Sequence, residues 1–173
     1  VQNPGYHKLL VISDIAVIPA PDLKQKQAMI GYVANTARAL GVEKPKVAMI
    51  TATEQMLPGM PACVEAAMLA KMSDRGQIAG CVVDGPLALD VALCKEAAEI
   101  KKLKSEVAGD ADCCVFPSIE AANVFYKFAG HFCPGVKMAA MVAGAKAPCV
   151  LSSRADSTET KLNSIALAAL TAK

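Results

Sequence analysis

Ser152, Ser153 and Arg154 stand just ahead of Asp156, Ser157 and Glu159. Two hydroxyls and a guanidinium therefore precede a helix whose cap is Asp156 or Ser157, with Glu159 placed for a capping box. A helix N-terminus offers unpaired N–H donors and a partial positive charge. An arginine beside it can grip an oxyanion through two parallel hydrogen bonds. The arrangement suits phosphate, and it equally fits a plain capping box with a surface arginine. Lys146, between Gly144 and Pro148, reaches an anion or stays solvated.

Four carboxylates near strand ends, Asp84, Asp90, Asp110 and Asp112, admit acid–base or metal chemistry. Each also fits a turn or a helix cap, where Asp is favoured. His131 falls near the end of a Phe-rich segment and reads as a partner of the helix dipole rather than a base. The chain carries neither the Gly-x-Gly-x-x-Gly fingerprint nor the Gly-rich phosphate loop ending in Lys-Ser. Its seven cysteines form no C-x-x-C pair. They read as reduced, buried thiols of a cytosolic protein.

The elements that must position these groups follow from periodicity. Residues 8–19 read as an extended strand region. Asp22 caps a helix with Gln25 as capping-box partner, and Gly41 closes it. Residues 46–51 form a second strand. The next helix starts at Pro61 and ends at Gly76, with Val64, Ala67, Met68 and Met72 on its packed face. Residues 80–84 form a third strand, and residues 88–103 one helix with Leu93, Ala97 and Ile100 as its stripe. Residues 111–116 form a fourth strand, and residues 119–132 a helix with Val124, Phe125, Phe128 and Phe132 turned inward. Residues 136–142 and 149–151 read as fifth and sixth strands. A final helix over 157–172 carries Leu162, Ile165, Ala166, Ala169 and Leu170 as its apolar stripe.

Strand–helix alternation without apolar–polar alternation inside the strands implies a mainly parallel sheet with helices on both faces, a three-layer α/β unit. Functional loops in such sheets follow the carboxyl ends of strands, here after Thr51, Asp84, Phe116, Val142 and Leu151.

A length of 173 residues suits one domain. The 18 basic and 16 acidic side chains nearly balance, which gives no reason to expect nucleic acid or a membrane surface. No apolar run approaches the roughly 18–20 residues that span a bilayer, and no signal-peptide pattern opens the chain. The sequence begins at Val1 without Met and is expected to be a fragment or a processed piece.

The segments at 72–78, 83–90, 108–112, 119–127, 144–148 and 153–166 together resemble the phosphate acetyltransferase/phosphate butyryltransferase family, more its butyryltransferase branch. The resemblance spans essentially the whole chain. It implies a fold like that of isocitrate and isopropylmalate dehydrogenases. It also implies a missing first domain that supplies much of the coenzyme A site. Residues 1–151 would be the second domain, and residues 152–173 a helix returning to the first.

The implied activity moves a short acyl group, butyryl or acetyl, between coenzyme A and inorganic phosphate. Coenzyme A enters as substrate, no metal or nucleotide cofactor is expected, and the assembly would be a homodimer. The phosphate must be held, which suits Arg154 and the helix N-terminus. The carbonyl oxygen gains charge, and Ser153 is the candidate donor. In the acetyltransferase branch a Glu-Asp pair follows the Ser-Arg pair. Glu159 matches its Glu, but Thr160 stands at its Asp, so Asp156 or Glu159 is the candidate acid or base. Lys146, Ser152 and Asn123 complete the implied substrate-binding set. Tyr126 and Lys127 share a family motif with Asn123 and are read as wall and packing residues. The alternatives are a catalytically incomplete dimerisation piece and a dehydrogenase-like relative using NAD and a metal held by Asp84, Asp110 or Asp112.

Overall fold

The computed structural model describes residues 1–172 and divides the chain into two compact units. Leu10–Tyr126 forms the larger one. Val1–Leu9 and the described residues from Lys127 onward form the smaller.

The larger unit is built on a parallel sheet. Its strands are β1 (Val11–Ser13), β2 (Lys46–Ile50), β3 (Val82–Leu87) and β4 (Cys113–Val115), in the order β1-β4-β2-β3. Parallel neighbours need crossovers. These are α1 (Leu23–Ala39), α2 (Pro61–Asp74) and the pair α3 (Leu89–Leu93) and α4 (Lys95–Ile100). The capping box at Asp22 forms as expected: its carboxylate accepts from Gln25 N at 2.7 Å, and Gln25 Oε1 accepts from Asp22 N at 2.9 Å. The core joins Ile30, Val33 and Ala34 of α1 to Val47 and Met49 of β2, Leu69 of α2 and Val115 of β4. Lys26 is buried beside them, paired with Glu65 of α2.

Several expected elements are corrected. The first strand shrinks to three residues, because the Asp14 carboxylate collects the N–H groups of Ala16, Val17 and Ile18 into a turn. On α2 the buried row is Cys63, Ala66 and Leu69, whereas Val64 and Met68 are exposed. The third strand continues through Gly85 and Pro86 to Leu87. Gly85 permits this, since a Cβ there would lie 2.6 Å from Met49 Cβ and 3.2 Å from Ala66 Cβ.

The single helix expected over 88–103 is two, broken at an extended Cys94. The cause is tertiary. The Val91 and Ala92 carbonyls, which the next helical turn would use, accept instead from Gly109 N at 2.7 Å and Ala111 N at 3.3 Å. Only glycine fits there: Gly109 has φ +76°, and a Cβ would fall 2.6 Å from Lys95 Cα. Ile100, expected inside, is 72% exposed.

Helix α5 (Ile119–Phe132) begins in the larger unit and ends in the smaller. Its buried positions are Ala122, Tyr126 and Ala129, spaced by four and three. Val124, Phe128 and Phe132, expected to point inward, are exposed, and the last two stack at 5.8 Å.

In the smaller unit the fifth and sixth strands reduce to isolated antiparallel bridges, Gln2 with Lys137 and Val142 with Cys149. Consequently, among the described residues of this unit, no loop follows the end of a strand. Helix α6 (Thr158–Thr171) buries Ser164 and Ala168 and exposes the expected stripe of Leu162, Ile165 and Leu170. Ser164 makes burial of a polar residue possible: its Oγ donates to the Thr160 carbonyl at 2.7 Å and accepts from Ala140 N at 2.9 Å.

Candidate functional site

In the smaller unit, the segment ahead of α6 is tied by several polar contacts. Residues 153–156 form a tight turn. Asp156 N donates to the Ser153 carbonyl at 3.1 Å, and Ser153 N donates back to Asp156 Oδ2 at 2.7 Å. The second bond is charge-assisted, which pins the turn from both directions. Arg154 occupies the turn's first corner. It is exposed and makes no hydrogen bond or ion pair with the described residues. A guanidinium in that state retains all its donors for an external oxyanion.

The helix begins immediately after. Ser157 is its N-cap, accepting from Thr160 N at 3.1 Å. Thr160 therefore holds the position expected of Glu159, and its own hydroxyl meets that of Ser157 at 3.1 Å. Glu159 instead pairs with Lys137 at 2.9 Å, so the capping-box role is corrected to an exposed ion pair. The amides of Thr158 and Glu159 precede the first intrahelical bond and carry the helix's partial positive charge.

Ser153 gains a partner that the sequence alone did not single out. Lys127 Nζ donates to its Oγ at 3.1 Å, and Ala155 N approaches the same oxygen at 3.4 Å. Lys127 was expected to be a wall residue. Its spacing from the Ser-Arg pair carries no periodic signal, because the last turn of α5 and a long irregular segment separate them. Ser152 is half-buried and Lys146 exposed, and neither bonds to a described residue. Asn123 lies in the larger unit, where its amide donates to the Ile15 carbonyl at 2.9 Å.

The other carboxylates are occupied structurally. Asp110 pairs with Lys46 Nζ at 2.6 Å, Asp112 accepts from Lys46 N at 2.9 Å, and Asp84 accepts from Gly85 N at 2.8 Å. Asp90 meets Lys101 at 3.3 Å. Among the described residues no three His, Cys, Asp or Glu side chains gather as a metal cluster. Cys63, Cys81, Cys113 and Cys114 are buried free thiols. Burial pushes Cys114 up to about 12, and burial, then the neighbouring Cys114, pushes Cys113 strongly up as well. Neither supplies a thiolate near neutrality.

The family model for phosphate acetyl/butaryl transferase matches residues 2–169. The chain belongs to this family. It is 52% identical to a phosphate butyryltransferase of Clostridium acetobutylicum over 171 residues, which cover 99% of this chain and 56% of that protein. It is 49% identical to a phosphate acetyltransferase of Thermotoga maritima over 170 residues, covering 98% and 58%. A crystal structure of a branched-chain phosphotransacylase from Enterococcus faecalis superimposes with a TM-score of 0.83 at 34% identity, covering 92% of this chain and 57% of that one. The chain thus spans little more than half the length of the relatives it matches.

Proposed function

We propose that this chain carries the phosphate-handling part of an enzyme that transfers a short acyl group between coenzyme A and inorganic phosphate. The observation that carries the reading is Arg154, exposed and unpaired among the described residues at the corner of a pinned turn, next to the N-terminus of α6. Family membership and the names of the relatives favour acyl transfer over the dehydrogenase alternative.

In the proposed step a phosphate oxygen attacks the thioester carbonyl, the C–S bond breaks, and the coenzyme leaves as a thiolate. Arg154 and the Thr158 and Glu159 amides hold the phosphate, with Lys146 and Ser152 supplying further polar contacts. Ser153 donates to the carbonyl oxygen as it gains charge, the role for which an aimed donor is worth most. A thiol titrates near ~8.5, so its departure needs only modest assistance. Asp156 or Glu159 handles the proton; each already has one partner, the Ser153 amide on Asp156 Oδ2 and the Lys137 ammonium on Glu159. Asn123 remains a substrate-wall candidate.

The finer assignments belong to the same reading: a three-layer unit like isocitrate and isopropylmalate dehydrogenases, a homodimer, a cytoplasmic enzyme, and no metal or nucleotide cofactor. Residues 1–151 would form a second domain and residues 152–173 a helix returning to a first. The exposed stripe of Leu162, Ile165 and Leu170 supports that last point, as an apolar face that wants cover. It also favours a second reading, in which this chain alone is a catalytically incomplete piece.

The test is release of coenzyme A thiol from butyryl-CoA or acetyl-CoA in the presence of phosphate, by the complete encoded protein. Phosphate-dependent release is expected. Absence of release with either acyl chain overturns the reading.

A further inference from the structure

Lys127 is placed to set the direction in which Ser153 can act, and this inference rests on the acyl-transfer reading above. A serine hydroxyl has two acceptor lone pairs and one proton to give. The Lys127 ammonium is a donor only, and it faces Ser153 Oγ at 3.1 Å. Ala155 N–H approaches the same oxygen at 3.4 Å. Both acceptor positions therefore face donors. No described residue accepts the Ser153 hydroxyl proton. A hydroxyl surrounded this way can make its remaining hydrogen bond only by donating.

We propose that Lys127 is a positioning residue that turns the Ser153 hydroxyl into an oriented donor for the carbonyl oxygen of the acyl group. Two physical effects act together. The ammonium fixes the rotor, so no reorganisation is needed when charge develops on the substrate oxygen. It also draws electron density from Oγ, and a hydroxyl polarised by a cation donates more strongly. Without Lys127 the hydroxyl is free to rotate and to accept rather than donate. No covalent step at Lys127 is involved: the bond made is phosphate oxygen to carbonyl carbon, the bond broken is carbon to sulfur, and Lys127 keeps its proton throughout.

The geometry separates this role from those of its neighbours. Arg154 contacts phosphate directly in the proposed step, so its loss acts on phosphate affinity. Lys127 acts through Ser153, so its loss acts on turnover.

The experiment is a kinetic double-mutant cycle on the complete encoded protein, with butyryl-CoA and phosphate. K127M is expected to lower kcat about 10–100-fold, the range of a charge-assisted hydrogen bond, with KM for phosphate within about twofold. S153A is expected to lower kcat at least as far, and K127M/S153A to be no slower than S153A. K127R, which keeps a cationic donor, is expected to recover part of the loss. A double variant slower than S153A by the full K127M factor overturns the inference, because Lys127 then acts independently. So does an unchanged kcat in K127M.

The same four proteins also report without turnover. In thermal unfolding the double variant should lose less stability than the sum of the singles. Additive losses there overturn the contact itself. A protein that releases no coenzyme A overturns the acyl-transfer reading, while the unfolding cycle still decides whether Lys127 and Ser153 are coupled.

Discussion

Lys137 Nζ lies 2.9 Å from the Glu159 carboxylate, and both side chains are more than half exposed. The pair ties the start of α6 to the segment bridged to Gln2. Glu159 does not turn back to cap its own helix because Ser157, as N-cap, puts Thr160 at the third helical position. Exposed ion pairs contribute little, about 0–1 kcal/mol. E159Q should therefore leave stability within that range. If Glu159 handles the proton, its loss lowers kcat by about 100-fold, the scale of general acid–base assistance. Unfolding curves and initial rates on the same samples check both halves.

Asp156 should behave in the opposite way. Its carboxylate accepts the Ser153 amide at 2.7 Å within the turn. D156N weakens a charge-assisted bond and is expected to cost about 1–2 kcal/mol of stability. The turn that presents Arg154 loosens with it, so phosphate KM should rise. A variant of unchanged stability and KM contradicts the pinned-turn account.

Arg154 gives the cleanest separation of stability from function. With no partner among the described residues, R154A should shift unfolding free energy by less than about 0.5 kcal/mol, as surface substitutions do. Phosphate KM should rise about 10–100-fold, the loss of charge-assisted hydrogen bonds. R154K should restore only part, because an ammonium lacks the planar fork. Phosphate titrations of the rate decide it.

Ser164 is fully buried and bonds on both sides. S164A leaves the Ala140 amide without its acceptor and should destabilise by about 1–3 kcal/mol. Thermal unfolding reads this directly. Since α6 carries the N-terminus proposed to face phosphate, a lowered midpoint with preserved activity at low temperature is the expected combination.

The buried thiols predict an alkaline limit. Cys114 is pushed up to about 12 and Cys113 is raised further by burial and by Cys114. In the unfolded chain both titrate near ~8.5. The folded state thus binds more protons than the unfolded state between these values, and stability falls as pH rises through that window. The contribution is fully present below about pH 8. Midpoints should decline above about pH 9, and C114A should flatten the decline. Thiol reagents at neutral pH should modify exposed Cys94 and Cys149 ahead of Cys113 and Cys114.

What the sequence determined by itself is local or additive. The capping box at Asp22 needs only residues three apart. The parallel strands centred on Val47, Val83 and Cys114 announce themselves as short apolar runs. Family membership rests on ordered segments and was legible throughout. Tertiary structure decided what depends on distant partners. The helix over 88–103 breaks because Gly109 and Ala111 take its carbonyls. The apolar stripes of α5 and α6 face outward, since periodicity marks a stripe but not what covers it. Lys127 reaches Ser153 across irregular chain, where no repeat of 2 or 3.6 residues relates one side chain to another.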